Sequence, residues 1–340
     1  MEKNILIMRL SAMGDVAMTV PVIAAFLKTY PEVHVTLLSN PRWGAMFPPS
    51  PNFTYFPVDT KKEYAGNLGM VRLFKKLRKE RTFDLMIDLH DVLRSKLLRT
   101  LYKLSGTPVY VINKGRKEKK KLTASTKRSI TPLKSTINRY ADVFRAAGYP
   151  LESIESIKHL YENNQCPIPL SAHTTIGIAP FAQHKGKIYP LEKIENIIAH
   201  FSKRADTQLL LFGGGEKEKR QLETWSATYD QTTSVAGKFS LQEELALLKS
   251  CDVVLSMDSA NMHLASLVGT PVVSVWGATH PYAGFYGFQQ EEGNAIQLDM
   301  PCRPCSIYGN KPCHKENYPC LHNIKEENII QKIEEVIAKV

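Results

Sequence analysis

No run of about 18 apolar residues occurs in the chain, so nothing in it reads as a membrane-spanning helix. The N-terminus, MEKNILIMRL, has neither a long apolar stretch nor a small-residue cleavage site, and the expected location is the cytoplasm. The G-x-G-x-x-G fingerprint is missing as well. Its nearest approach, LLLFGGGEKEKRQLE, has Glu218 where the last glycine would stand, which leaves a nicotinamide cofactor without support. Interleaved aromatic and basic residues, zinc-finger spacings and recognition-helix signals are also lacking, and this weighs against a nucleic-acid-binding protein.

What is present is 340 residues, 43% apolar and 23% charged, the composition of a globular protein. That length favours two domains of about 150 residues each. The formal charge of +11 is unevenly spread: residues 1–150 carry 27 Lys+Arg against 11 Asp+Glu, and residues 151–340 carry 17 against 22. The halves are thus +16 and −5. Such asymmetry points to an anionic partner for the first half, whether nucleic acid, a membrane surface or a phosphorylated substrate; a solubilising surface is the alternative.

Short β-branched runs alternate with helical patterns throughout, as in parallel sheets built from βαβ units. The first half offers NILIMR, HVTLLS, TYFPV, DLMIDL and PVYVI, and the second TTIGIAP, TQLLLFG, TTSVAG, DVVLSM and TPVVSVW. The prolines of CPIPLSAH, residues 166–173, mark a linker. The expected organisation is α/β: a doubly wound domain over residues 1–165, a second over 166–323, and a C-terminal helix over 324–340 packed on one of them. Two such domains would face each other across a cleft lined by strand carboxyl ends and helix N-termini.

Three strand-to-helix turns carry candidate chemistry. In DVVLSMDSANMHLASLVGTPVVSVWG, a strand ends at Met257 and a helix opens at Asp258 or Ser259, so its first N–H groups would serve a phosphate or simply be capped. In LLLFGGGEKEKRQLE, Glu216 opens a helix after three glycines. Its carboxylate suits a vicinal diol such as a ribose, or else answers the helix dipole. In FAQHKGKIYPLEKI, Lys185 and Lys187 lie between a strand and a helix starting near Leu191, and a lysine there could neutralise a departing diphosphate. Context prefers Lys187, next to Ile188-Tyr189-Pro190. The first turn of the chain, LSAMGDVAMT, differs from all of these: it has one glycine and a carboxylate, Asp15, where a phosphate would sit, either as a base or as a cap for a helix beginning at Val16 or Ala17.

Taken in order, SAMGDVAMTVPVIAAF, DLMIDLH, IGIAPFAQHKGKIYP, LLLFGGGEKE, DVVLSMDSANMHLASLVGTPVVSVWGATHP and the cysteine-containing tail resemble glycosyltransferase family 9, the ADP-heptose:lipopolysaccharide heptosyltransferases, over nearly the whole chain. The resemblance implies the two-domain GT-B fold and metal-independent, inverting transfer of heptose from ADP-heptose to a lipopolysaccharide inner-core acceptor, with no cofactor. It matches Asp15 to the catalytic base, Lys187 to the leaving-group lysine, Glu216 to the ribose ligand, and Asp258, Ser259, Ala260 and His263 to the donor-phosphate helix. Ala260 departs from the family's usual glycine by one methyl group, which leaves its backbone N–H in place but alters the donor fit. A phosphate-free first turn then makes sense. The diphosphate belongs to the second domain, so Asp15 is left for the acceptor hydroxyl; a carboxylate near a helix N-terminus stays ionised, and proton transfer comes late in bond breaking.

Other segments bear on the partners. KGRKEKKKLTASTKR, residues 114–128, carries +7 and reads as a mobile, solvated loop of the first domain, where Lys119, Lys120 and Lys121 would meet the phosphates or carboxylates of the acceptor. LGMVRLFKKLRKER reads as a helix with Arg72, Lys75, Lys76 and Lys79 to one side, suited to peripheral contact with the inner membrane or to an ordinary surface. Cys302 and Cys305 are spaced as in a metal knuckle, but Cys313 and Cys320 lie too far apart for the common zinc modules, so a reduced structural loop is expected, with a bound zinc as the alternative. The runners-up are a family 9-like transferase using another nucleotide sugar or acceptor, and, in a different class, a nucleic-acid-binding protein using the basic half.

Overall fold

The computed structural model describes residues 3–124, 130–170 and 172–339. It divides the chain into two compact units, Met1–Lys114 with Thr136–Ile157, and Gly115–Ser135 with Lys158–Val340.

The first unit is a five-stranded sheet of β1 (Lys3–Met8), β2 (Val33–Ser39), β3 (Phe53–Pro57), β4 (Leu85–Asp88) and β5 (Val109–Val111). Its strand order is β3-β2-β1-β4-β5, and every pair is parallel, with Ile5 registered between Val35 and Leu85. Residues Ile5 to Met8 and all of β2 are buried, as central strands of a sheet covered on both faces must be. Between the strands come α1 (Met13–Ala17), α2 (Val20–Thr29), α3 (Gly66–Glu80) and α4 (Leu93–Leu104). Met70, Leu73 and Leu77 of α3 are buried in one core with Leu98 and Tyr102 of α4. The apolar stripe that α3 could offer to a membrane is therefore a core face, and Arg72, Lys75, Lys76 and Lys79 remain at least partly exposed.

The basic segment differs from expectation. Gly115, at φ +62°, lets the chain turn into α5 (Arg116–Leu122), a helix of the second unit where a loop of the first domain was expected. Leu122 is buried, and Lys119 is only 8% exposed because its ammonium lies 4.2 Å from the centre of the Phe285 ring. Lys120 and Lys121 are exposed, while Lys127 and Arg128 lie outside the described residues. The chain then returns to the first unit as α6 (Thr136–Ala146), where Phe144 packs 5.0 Å from Phe26 of α2. It leaves for good at Ile157, ahead of the proline-rich stretch at 166–173.

The second unit holds β6 (Thr174–Ala179), β7 (Thr207–Leu211), β8 (Thr232–Ser234), β9 (Val253–Met257), β10 (Val272–Val275) and the two-residue β11 (Ala295–Ile296), in the order β11-β10-β9-β6-β7-β8, again all parallel. Counted from β6 this is 3-2-1-4-5-6, the order of dinucleotide-binding folds. The helices are α7 (Leu191–Phe201), α8 (Glu216–Thr228), α9 (Leu241–Lys249), α10 (Ala260–Val268), α11 (Pro319–His322) and α12 (Glu326–Ile337). Of the eleven strands among the described residues, ten coincide with the β-branched runs of the sequence; β11 is too short to leave such a run.

The C-terminal helix α12 buries Ile329, Ile333 and Val336 in the same core as Ile197 and Phe201 of α7. Ile333 is fully buried and Ile330 only partly so. Ile333→Ala should lower the free energy of unfolding by about 2–5 kcal/mol and Ile330→Ala by clearly less, measured by urea denaturation. Equal, small effects would place α12 off the core.

Candidate active site

In an open parallel sheet, the crevice lies beyond the strand carboxyl ends where the strand order reverses. In the first unit that point lies between β1 and β4. Arg9 follows β1, and Leu89, His90 and Asp91 follow β4. Arg9 is 5% exposed. Its guanidinium donates to the Leu89 carbonyl at 2.7 Å and pairs with Asp15 at 2.7 Å between Nη2 and Oδ2. Burial works against the charge on Arg9, but Tyr140, Asp15 and Asp88 outweigh it and the pKa is raised.

Asp15 is the third residue of α1, which begins at Met13, earlier than the sequence indicates. Its carboxylate accepts from the Ala12 N–H at 3.2 Å, and its backbone carbonyl accepts from Tyr140 Oη at 3.2 Å. The carboxylate therefore is part of a cap, yet its side chain is still 30% exposed. Beside it, Ser11 Oγ lies 3.2 Å from His90 Nε2. Burial, then the charges of Arg9 and Lys114, push the His90 pKa down to about 3, so the ring is neutral at neutral pH. Asp88 fixes this loop: Oδ1 accepts from the N–H groups of His90 and Asp91 at 2.9 Å each, and Arg99 bridges Asp88 and Asp91 at 3.0 Å. Arg9 and His90 went unnoticed in the sequence, although each follows the end of an apolar strand, where side chains reach the crevice.

The second unit repeats the arrangement between β6 and β9. Lys187, in the turn Lys185–Lys187 after β6, places Nζ 2.8 Å from Asp258 Oδ2 and 3.0 Å from the Asp258 carbonyl at the end of β9. Both side chains are largely buried, at 16% and 4% exposure. Ser259 is the N-cap position of α10, with its Oγ 3.2 Å from Ser256 Oγ; Ala260 is the first helical residue and His263 is buried one turn on. Asp258, Ser259, Ala260 and His263 thus occupy the β9–α10 junction, and Lys187 reaches it from the turn after β6.

Glu216 stands apart from them. It opens α8 with its side chain 79% exposed, 3.4 Å from Lys219 Nζ. The carboxylate turned to the glycine turn is that of Glu218, which accepts from the Gly214 N–H at 2.8 Å.

The cysteine-containing segment is organised by a residue between its first two cysteines. Arg303, 3% exposed, donates to the carbonyls of Gly277, Leu298 and Thr279, the last at 2.9 Å, and to Gln297 Oε1 at 3.1 Å. These bonds fix the loop after β10. That loop holds the lysine turn, since Ala278 N–H donates to the Gly186 carbonyl at 2.8 Å and a Cβ on Gly186 would fall 3.0 Å from that of Ala278. No disulfide joins any of the six cysteines, and among the described residues no group of three or more His, Cys, Asp or Glu side chains could hold a metal ion.

The family glycosyltransferase family 9 (heptosyltransferase) matches residues 70–316. The chain is 23% identical over 321 residues to the lipopolysaccharide core heptosyltransferase OpsX of Haemophilus influenzae, covering 82% of this chain and 80% of that one. It is 20% identical to a lipooligosaccharide heptosyltransferase 2 of Campylobacter jejuni, over 95% and 96%. Among solved structures, a glycosyltransferase of family 9 from Veillonella parvula superposes with a TM-score of 0.77 at 19% identity, covering 100% and 98%. The E. coli heptosyltransferase WaaC with ADP gives 0.70 at 18%, covering 98% and 99%. With the family matched over most of its length and two doubly wound units of the GT-B type, this chain is a glycosyltransferase and belongs to glycosyltransferase family 9 (heptosyltransferase).

Proposed function

We propose that the protein transfers heptose from ADP-heptose to a lipopolysaccharide inner-core acceptor, with inversion and without a metal ion. The observation that carries this reading is the pair of charged switch points: a carboxylate, Asp15, where a nucleotide-binding unit would place a phosphate, and a lysine, Lys187, where a diphosphate would sit. The relatives' names support the substrates, since they include a lipopolysaccharide core heptosyltransferase and a heptosyltransferase structure with ADP-2-deoxy-2-fluoro heptose.

In this reaction an acceptor hydroxyl attacks the anomeric carbon from the face opposite the diphosphate. Asp15 takes the hydroxyl proton as the new C–O bond forms, and Arg9 and the Ala12 N–H keep its carboxylate oriented. The bond from the anomeric carbon to the diphosphate oxygen breaks, and Lys187 balances the charge released on ADP. Asp258 holds Lys187 until the diphosphate takes over as its counter-ion. The N–H groups at the start of α10, from Ser259 and Ala260, and the buried His263 serve the donor phosphates. Glu216, exposed at the head of α8, serves the ribose hydroxyls. The exposed Lys120 and Lys121 serve acceptor anions, while Lys119 is buried with its ammonium against the Phe285 ring.

No helix among the described residues is long and apolar enough to cross a membrane. The basic side of α3 suits peripheral contact with an anionic membrane surface. A nucleic-acid-binding role draws no support, because the most basic segment folds as α5 with Lys119 buried against an aromatic ring.

Asp15→Asn should keep ADP affinity and lower kcat by a factor of about 10² to 10⁴, the usual worth of a general base. Assayed with ADP-heptose and a lipid A–Kdo acceptor, turnover close to wild type would reduce Asp15 to a helix cap. Lys187→Ala should both weaken ADP binding, measured by calorimetry, and slow transfer, while Glu216→Ala should act mainly on affinity. EDTA should leave the rate of the wild-type protein unchanged; a loss reversed by magnesium or manganese would overturn the metal-free step.

A further inference from the structure

Among the described residues, Tyr308 is the only aromatic side chain in the set of large exposed apolar residues, at 51% exposure. Its ring lies 5.7 Å from that of Phe285, tilted by 39°. Lys119 of α5 lies 4.2 Å from the centre of the same Phe285 ring, and Lys120 and Lys121 follow it, exposed. A segment of the chain next to α5 is tied to this region: Leu133 N–H donates to the Tyr282 carbonyl at 2.9 Å, and a Cβ on Gly284 would fall 2.7 Å from the Lys134 carbonyl. These residues all belong to the second unit.

The cluster adjoins the candidate donor site through one residue. Gly309, directly after Tyr308, packs so closely on Lys187 that a Cβ there would lie 2.6 Å from Lys187 Cγ. The exposed ring thus sits one residue from the backbone that backs the diphosphate lysine. Two adjoining aromatic rings next to a sugar-transfer centre, with Lys119 against one of them and the exposed Lys120 and Lys121 next in the chain, match a sugar ring that carries anionic groups. Its C–H face stacks on the rings, and its carboxylate or phosphate meets the lysines.

We propose that Tyr308 and Phe285, with Lys120 and Lys121 of α5, form a subsite for an anionic sugar ring of the acceptor saccharide. The inference rests on the sugar-transfer reading above and adds to it where on the chain the acceptor is recognised. Tyr308 binds by its ring, so Tyr308→Phe keeps the subsite and Tyr308→Ala removes it.

Steady-state kinetics with each substrate varied in turn provide the test. Tyr308→Ala should raise the acceptor KM about tenfold and leave kcat and the ADP-heptose KM within about twofold, while Tyr308→Phe behaves as wild type. Lys120→Gln with Lys121→Gln should raise the acceptor KM at low salt and flatten its salt dependence. An unchanged acceptor KM in Tyr308→Ala, or a rise in the donor KM in its place, overturns the subsite. Saturation-transfer NMR of deacylated Kdo–lipid A saccharide with the ADP-loaded protein separates the two readings. Saccharide binding by wild type that is lost in Tyr308→Ala supports the subsite even if no heptose is transferred, and binding retained in that variant overturns it.

Discussion

A cation held out of water at the carboxyl edge of a parallel sheet requires a carboxylate beside it, and both units of this protein are arranged around that requirement. Arg9 has Asp15, and Lys187 has Asp258, each pair at the strands where the sheet order reverses. Such pairs are not retained for stability alone, because apolar residues of similar volume often serve a fold as well or better. What apolar residues cannot do is present a carboxylate to a hydroxyl or an ammonium to a phosphate. The two pairs differ in a way that fits those tasks. In the first, the anion is the more accessible member, with Asp15 at 30% and Arg9 at 6%; in the second, it is the cation, with Lys187 at 16% and Asp258 at 4%. Each unit thus turns the opposite sign of charge outward.

Holding Lys187 in place engages much of the C-terminal part of the second unit. The guanidinium of Arg303 gathers the carbonyls of Gly277, Thr279 and Leu298, which sets the loop after β10. That loop holds Gly186, and Gly309 closes on the stem of Lys187 from the cysteine-containing segment. A Cβ on Gly277 would lie 2.7 Å from the Gly186 carbonyl, so the two stretches of chain approach at a distance only glycine permits. The tail after β11 therefore works as a brace for the lysine turn. Its cysteines are the conspicuous residues by composition, but the arginine between Cys302 and Cys305 makes the bonds.

Most of the fold was legible in the sequence because strands buried on both faces must be apolar runs, and short runs such as NILIMR and DVVLSM, bounded by polar and turn-forming residues, suit little else. The strand–helix junction at Asp258 was legible for a related reason, since a polar pair after a buried strand and before a helix has one place to go. Asp15 and Lys187 could be picked out as residues, but their partners could not: Arg9 and Asp15 are close in sequence, while Lys187 and Asp258 are 71 positions apart and meet only because β6 and β9 are neighbours. That Glu218, and not Glu216, turns its carboxylate to the glycine turn was also hidden, because it depends on which way α8 leaves that turn. Charge density misled at residues 114–128. A run of lysines reads as solvated chain, but Leu122 and the face of Phe285 supplied the burial that composition alone does not reveal.

That misreading changes the electrostatic picture of the whole molecule. Cut at residue 150, the sequence divides into +16 and −5; divided as the fold divides it, the first unit carries 19 Lys+Arg against 12 Asp+Glu and the second 25 against 21, or +7 and +4. The sharp contrast between halves came from counting Gly115–Ser135 with the wrong unit. An anionic substrate therefore does not find one basic domain and one acidic one. Without the basic segment, the rest of the second unit would be net acidic, at −3, a poor surface for an anionic ligand. By crossing over between β5 and α6, the chain delivers +7 to the unit whose own sequence lacks it, and anchors part of that charge on an aromatic ring one contact away from Tyr308.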